Sequence, residues 1–182
     1  RGNFQMKIYL VRHGNKDEGK ENPPLTKKGT KQAKLLAKKL SKKKFDEFYC
    51  SKLRRSVQTA EIVSKKIKIS PVQKICLDEF DTEMLRKPKN KWTKKWKMQY
   101  KELNEFIRDI SKRKDNERNI LIIAHGMTNR LIISYLTKIN FRKLLPFEHH
   151  EAGISKIRWS KRRGNWKVVF INDSSHIPDK LK

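Results

Sequence analysis

The sequence predicts a three-layer α/β/α sandwich with a mainly parallel central sheet and an antiparallel C-terminal edge hairpin. Three observations carry that fold class. Short apolar runs of strand length alternate with segments whose apolar residues recur at helical spacing. The last two apolar runs are joined only by KRRGN, a turn-sized connection that makes neighbours antiparallel. The chain is 182 residues long, enough to bury a substantial single core.

The elements follow in order. MKIYLV (6–11) reads as the first strand. From residue 26 to 44, Ala33, Leu36, Ala37 and Leu40 fall at i, i+3, i+4 and i+7, with lysines on the opposite face. FDEFYC (45–50) is a second strand, and residues 53–66 a second helix carrying Val57, Ala60, Ile62 and Val63. A third helix is expected over 92–112, its stripe formed by Trp96, Tyr100, Leu103, Ile107 and Ile110. NILIIA (119–124) is a third strand, followed after His125 by a helix carrying Leu131, Ile132, Tyr135 and Leu136. ISKIRW (154–159) and WKVVFI (166–171) form the closing hairpin. With no internal repeat and no linker, residues 6–182 read as one domain, and RGNFQ (1–5) as a vector-derived remnant before a native start at Met6.

Lys and Arg number 46 against 19 acidic residues, a formal net charge of +27. That excess suits phosphorylated metabolites, nucleic acid or acidic proteins, and equally a plain solvated coat of lysine. Cys50 and Cys76 sit in or beside apolar stretches without metal-ligand or disulfide-framework spacing, so they read as reduced core thiols. No apolar run approaches the ~20 residues of a membrane span, and no leader precedes Met6; a cytoplasmic protein with no membrane partner is expected.

In open α/β sheets ligands sit beyond the carboxyl ends of the strands. Here the first strand runs into Arg12-His13-Gly14, the second into Ser51-Lys52-Leu53-Arg54-Arg55, and NILIIA into His125-Gly126. If parallel, these strands gather two histidines and at least two arginines on one rim, with helix N-termini aimed at the same place. A buried cation is costly without a partner. Arg12 therefore awaits an anion, and a phosphoryl group fits.

Five stretches, in order, resemble the histidine phosphatase superfamily, also called the phosphoglycerate mutase-like family. LVRHG resembles its nucleophile motif, and PPLTKKGTKQA (23–33) its L-T-x-x-G-x-x-Q-A helix entry. CSKLRRSVQTA (50–60) resembles S-x-L-x-R-A-x-x-T-A and puts the phosphate-binding arginine at Arg55 rather than Arg54. IIAHGMTNRL (122–131) resembles the second-histidine motif, and NDSSHI (172–177) the N-x-x-H-L ending. The resemblance implies a metal-independent phosphomonoesterase without cofactor, in which His13 attacks phosphorus to give a phosphohistidine. Neutral His13 is required, and Arg12 and Arg55 disfavour its imidazolium. Arg12, Arg55 and His125 would bind the phosphoryl oxygens, with His125 cationic when phosphate is present. CLDEFDTEM (76–84) resembles the family's L-x-E segment, which makes Glu79 the acid that protonates the leaving group and then the base for water. Asp81 and Glu83 compete for that role.

Departures from the pattern narrow the activity. Glu79 is followed by Phe80, Asp81, Thr82 and Glu83, not by the R-x-Y-G of mutases, and the E-x-x-x-G-x-W-E-G pattern of many broad-specificity phosphatases is absent. A phosphatase acting on a phosphorylated small molecule or phosphoprotein is favoured; a phosphoglycerate mutase and a non-catalytic phosphate- or nucleic-acid-binding module are the alternatives. Sequence leaves the oligomeric state open. Thr26, Gly29 and Ala33 read as a helix start packed on the sheet, and His176 as structural. RKPKNKWTKKWKMQYK (86–101) has eight Lys or Arg and no acid, interleaved with Trp92, Trp96 and Tyr100. A basic flank or lid over the site is the preferred reading, with nucleic-acid stacking as the alternative. Glu148-His149-His150-Glu151 lacks helical metal-ligand spacing; no metal is expected, and His149 or His150 borders the substrate mouth.

Overall fold

The computed structural model describes residues 5–19, 21–113 and 116–182. Its strands are β1 (Lys7–Arg12), β2 (Glu47–Ser51), β3 (Val72–Lys74), β4 (Asn119–Ala124), β5 (Ile154–Ser160) and β6 (Asn165–Asp173). Its α-helices are α1 (Lys27–Leu40), α2 (Arg54–Ile67), α3 (Thr82–Arg86), α4 (Lys94–Ser111) and α5 (Gly126–Thr137). The strands form one sheet in the order β3-β2-β4-β1-β5-β6. β1 through β4 are mutually parallel, while β5 runs antiparallel to β1 and β6 to β5. The expected mixed sheet with its antiparallel edge hairpin is therefore present.

Side-chain alternation builds the layers. In β1, Ile8 and Leu10 join Ile120 and Ile122 of β4 and pack against Leu103, Ile107 and Ile110 of α4 and Leu131 and Ile132 of α5. Tyr9 and Val11, with Leu121 and Ile123, pack on Leu36, Ala37 and Leu40 of α1 and Ala60 and Val63 of α2. Period-two alternation thus fills both faces of the sheet's central strands, β1 and β4. Each fully buried Ile or Leu contributes about 1.5–3 kcal/mol. Cys50 and Cys76 are buried free thiols in opposite layers, and burial pushes them up to about 12 and about 11 respectively.

The structure corrects the pattern at a few places. It adds β3, whose three residues VQK are largely exposed and too short to alternate visibly. It also adds the five-residue α3. α4 begins at Lys94, not at Trp92, because the Thr93 hydroxyl accepts from the Trp96 amide and caps the helix. Trp92 lies just outside the cap, buried, with its ring edge-on to Tyr100 and its indole N–H donating to the Lys87 carbonyl. Of the remnant read at residues 1–5, positions 1–4 lie outside the described residues; Gln5 accepts a hydrogen bond from Arg158. Among the described residues no helix is long and apolar enough to cross a membrane.

Candidate active site

The rim at the carboxyl ends of β1, β2 and β4 is held by contacts that the motif residues make. Gly14 N–H donates to Thr59 Oγ1, and Asn15 N–H to Gln32 Oε1. Thr26 caps α1 through the Gly29 amide and donates its hydroxyl to Asn15 Oδ1. A Cβ at Gly14 would meet the Gly29 carbonyl at 2.6 Å, and one at Gly29 would lie 2.0 Å from the Asn15 carbonyl. Only two glycines let β1's tip and the α1 start approach this closely. Ser56 Oγ donates to the Ile123 carbonyl, tying α2 to β4.

His13 is 1% exposed. Its Nδ1 lies 2.7 Å from the Gly14 carbonyl, which can only accept, so Nδ1 carries the hydrogen. Arg55 Nε donates to His13 Nε2 at 3.1 Å, so Nε2 presents its lone pair. Burial lowers the ring to about 3, against a partly opposing Gly14 hydrogen bond and with further lowering from Arg55 and Arg12. A neutral imidazole with its lone pair on Nε2 is the nucleophilic form.

The other predicted residues surround it. The His125 ring is 5.0 Å from that of His13, centroid to centroid, and is completely buried. Its Nε2 lies 2.9 Å from Ser51 Oγ, while its Nδ1 has no hydrogen-bond partner and sits 3.8 Å from Glu79 Oε2. Burial first, then His13, Arg55 and Arg12, hold it well below the ordinary histidine range. Glu79 Oε2 is paired with Arg55. Arg12 donates to the His149 carbonyl at 2.7 Å. Arg12, His13, Arg55, Glu79 and His125 are therefore one cluster, while Arg54 uses its backbone amide to bind Asn22.

Beside the cluster opens a cavity of about 420 Å³ lined by Arg12, Glu79, Thr82, Gly126, Arg130 and His149, with Glu148 and His150 at its mouth. Both candidate mouth histidines thus border it. His149 is buried with Nε2 unpartnered, and desolvation, Arg130 and Arg12 lower it to about 4. His150 pairs instead with Glu148 at 3.2 Å, and Glu151 accepts from Asn15. The Glu148–Glu151 side chains diverge, and among the described residues no group of three His, Cys, Asp or Glu is placed to hold a metal. His176 donates to the Ala152 carbonyl, away from the cavity.

Of the three candidate acids, Glu79 alone lines the cavity. Asp81 Oδ1 accepts from the Glu83 amide, and Glu83 pairs with Arg86 on the surface; neither lines the cavity. The stripe in 86–101 faces inward: Trp96 packs on Phe80 and Tyr100 on Trp92, with Lys89 over the Tyr100 ring. Those aromatics are occupied by the protein itself, and α4 flanks the Glu79 loop.

Sequence reasoning missed Ser51, Asp78 and Arg130. All three stand inside the quoted motifs, so the signal was present without a role. Arg130 donates to the Leu144 and Phe147 carbonyls and has no carboxylate partner among the described residues.

The family described as Histidine phosphatase superfamily (branch 1) matches residues 8–106 and 83–174. Phosphoserine phosphatase 1 of Hydrogenobacter thermophilus is 25% identical over 202 residues, covering 94% of each chain. The 2,3-bisphosphoglycerate-dependent phosphoglycerate mutase of Buchnera aphidicola is 27% identical, covering 79% of this chain and 89% of its own. Among solved structures, phosphoserine phosphatase of Entamoeba histolytica in complex with 3-phosphoglyceric acid superposes with a TM-score of 0.75 at 20% identity, over 95% of this chain and all of its own. With its matched segments spanning nearly the whole chain, this protein belongs to the histidine phosphatase superfamily.

Proposed function

We propose that the protein is a phosphomonoesterase that works through a phosphohistidine on His13 and acts on a small phosphorylated acid. The observation that carries the reading is the His13 tautomer: Nδ1–H fixed on the Gly14 carbonyl and the Nε2 lone pair held by Arg55. Substrate phosphate takes Arg55 from both His13 and Glu79, and Arg12 and Arg55 share its nonbridging oxygens. Nε2 then attacks phosphorus in line, forming the P–N bond as the P–O bond to the leaving group breaks. Released from Arg55, Glu79 takes up a proton from solvent and gives it to the departing oxygen; as carboxylate it next takes one from water, which attacks phosphorus, releases inorganic phosphate and restores His13.

Arg130 supports the substrate class. It lies on the cavity wall, and no protein carboxylate neutralises it among the described residues. A second anionic group on the substrate would meet it there. Relatives named for phosphoserine and phosphoglycerate fit that chemistry. The sequence after Glu79 favours hydrolysis over mutase transfer.

The test is turnover of an aryl phosphate, phosphoserine and 3-phosphoglycerate in EDTA by wild type and His13→Ala. Free phosphate from wild type alone supports the reading. Turnover surviving His13→Ala refutes the nucleophile, and phosphate migrating within phosphoglycerate without release refutes the hydrolase.

A further inference from the structure

The residue just before Glu79 makes more contacts to the rim than Glu79 itself. Asp78 Oδ1 accepts two hydrogen bonds, from Ser51 Oγ at 2.7 Å and from the Lys52 amide at 2.8 Å. Its backbone carbonyl accepts two more, from Gln99 of α4 and Thr128 of α5, each at 3.0 Å. Ser51 is fully buried at the tip of β2.

These contacts fix every hydrogen in the chain leading to His125. A carboxylate only accepts, so the single Ser51 hydroxyl hydrogen points to Asp78. Ser51 Oγ is then an acceptor on its remaining sides. It receives the Leu53 amide at 3.0 Å and the His125 Nε2–H at 2.9 Å. With Nε2 protonated, neutral His125 keeps its lone pair on Nδ1, the buried atom with no partner that faces Glu79 and the phosphate pocket.

We infer that Asp78, acting through Ser51, is the positioning residue that sets the His125 tautomer and supports its conversion to a cation when phosphate binds. As the phosphoryl dianion enters, Nδ1 takes one proton from water and forms an N–H bond aimed at a nonbridging oxygen. Nε2–H stays on Ser51, and the negative charge of Asp78, one hydroxyl away, offsets the new positive charge. In this site His125 also faces the Arg55 and Arg12 guanidiniums, the His13 ring and the Glu79 carboxyl, with Arg130 on the cavity wall. The arrangement resembles a carboxylate behind a catalytic histidine, with a serine interposed. It also makes Asp78 a mechanical link: the backbone that fixes His125 through its side chain carries Glu79 on the next residue.

The inference rests on the phosphate-pocket reading of the previous section, and the experiment separates the two. Asp78→Asn keeps Oδ1, which accepts both hydrogen bonds, and removes only the charge. Ser51→Ala removes the relay. Wild type and both variants are compared in kcat against pH for an alkyl phosphate, and in inorganic phosphate affinity over the same range. For Asp78→Asn the alkaline limb of kcat moves down by roughly one pH unit, a tenfold loss of proton affinity, and phosphate affinity on the alkaline side of that limb falls about tenfold; on its acid side both return toward wild type. Ser51→Ala loses activity at all pH values and does not recover in acid. A uniform loss in Asp78→Asn with an unmoved limb means mere structural support and overturns the inference, as does an unmoved limb with full activity. Wild type that neither hydrolyses aryl phosphate nor binds phosphate overturns the pocket reading itself.

Discussion

Replacing Glu79 by Gln separates proton donation from every other duty of the site. Glu79 is the cavity-lining carboxylate that touches Arg55 and approaches His125 Nδ1. The other acid on that wall, Glu148, is 77% exposed at its side chain and engaged with His150, so among the described residues no second inward-facing carboxyl lines the cavity. Loss of a positioned acid costs on the order of 10²–10⁴ in rate. With no substitute donor, Glu79→Gln should lower kcat for an alkyl phosphate about 10³-fold, or roughly 4 kcal/mol of transition-state stabilisation. A nitrophenyl phosphate, whose leaving group departs unprotonated, should lose less than about tenfold. Removing the carboxylate also frees Arg55 for phosphate, so KM should fall severalfold in both cases. The assay is phosphate release from the two esters side by side, with Asp81→Asn and Glu83→Gln as controls expected within about twofold of wild type. Equal losses on both esters would mean that Glu79 acts only by holding Arg55, and a larger loss from Glu83→Gln would move the acid to α3.

Three further expectations follow from the geometry. Arg130→Met should raise KM for phosphoserine or 3-phosphoglycerate at least tenfold while leaving aryl phosphate nearly unchanged; equal effects on both would remove its role in the acid group's binding. Gly29→Ala forces a methyl into the Asn15 carbonyl and should cost about 3 kcal/mol or more, a fall of roughly 10 °C in melting temperature; a melt within a degree or two of wild type would show that the α1 start moves freely. His13 binds its proton near 6.5 when unfolded but only near about 3 when folded. The unfolded state therefore holds the extra proton between those values, and stability falls with acid across that window, by about 3 kcal/mol between pH 6.5 and 4 for His13 alone. Urea denaturation should show this slope, reduced in His13→Gln; an identical slope in the variant would contradict a buried neutral His13.

Much of the fold was legible because the central strands are covered on both faces. IYLV and NILIIA read as unbroken apolar runs, and the helices between them carry single-faced stripes. β3 was not legible: its VQK is exposed and pairs only with β2, so burial wrote no pattern into it. At the site, His13, Arg12, Arg55 and His125 were recoverable since strand ends and motif spacing point to one rim. Glu79 was recoverable by resemblance, but choosing it over Asp81 and Glu83 needed the turn that sends those two toward α3 and solvent. Asp78 was hidden for another reason. Its partners are Ser51, Lys52, Gln99 and Thr128, and no local periodicity encodes a meeting of four separate chain segments.

The alternation of β1 has a consequence for how this site can change. Even-numbered Ile8 and Leu10 face α4 and α5, and Arg12 continues that parity, its Cδ beside the start of α5. Odd-numbered Tyr9 and Val11 face α1 and α2, and His13 inherits that side, where Arg55 of α2 meets it. The choice of which tip residue attacks and which one clamps is thus made by counting along a hydrophobic strand. Deleting one residue anywhere between Ile8 and Val11 would exchange the two faces, exposing each layer to the other's side chains and turning the imidazole away from Arg55. Substitutions in this chain can retune the reaction, but an insertion or deletion in the strand would have to re-solve the core and the chemistry in a single step.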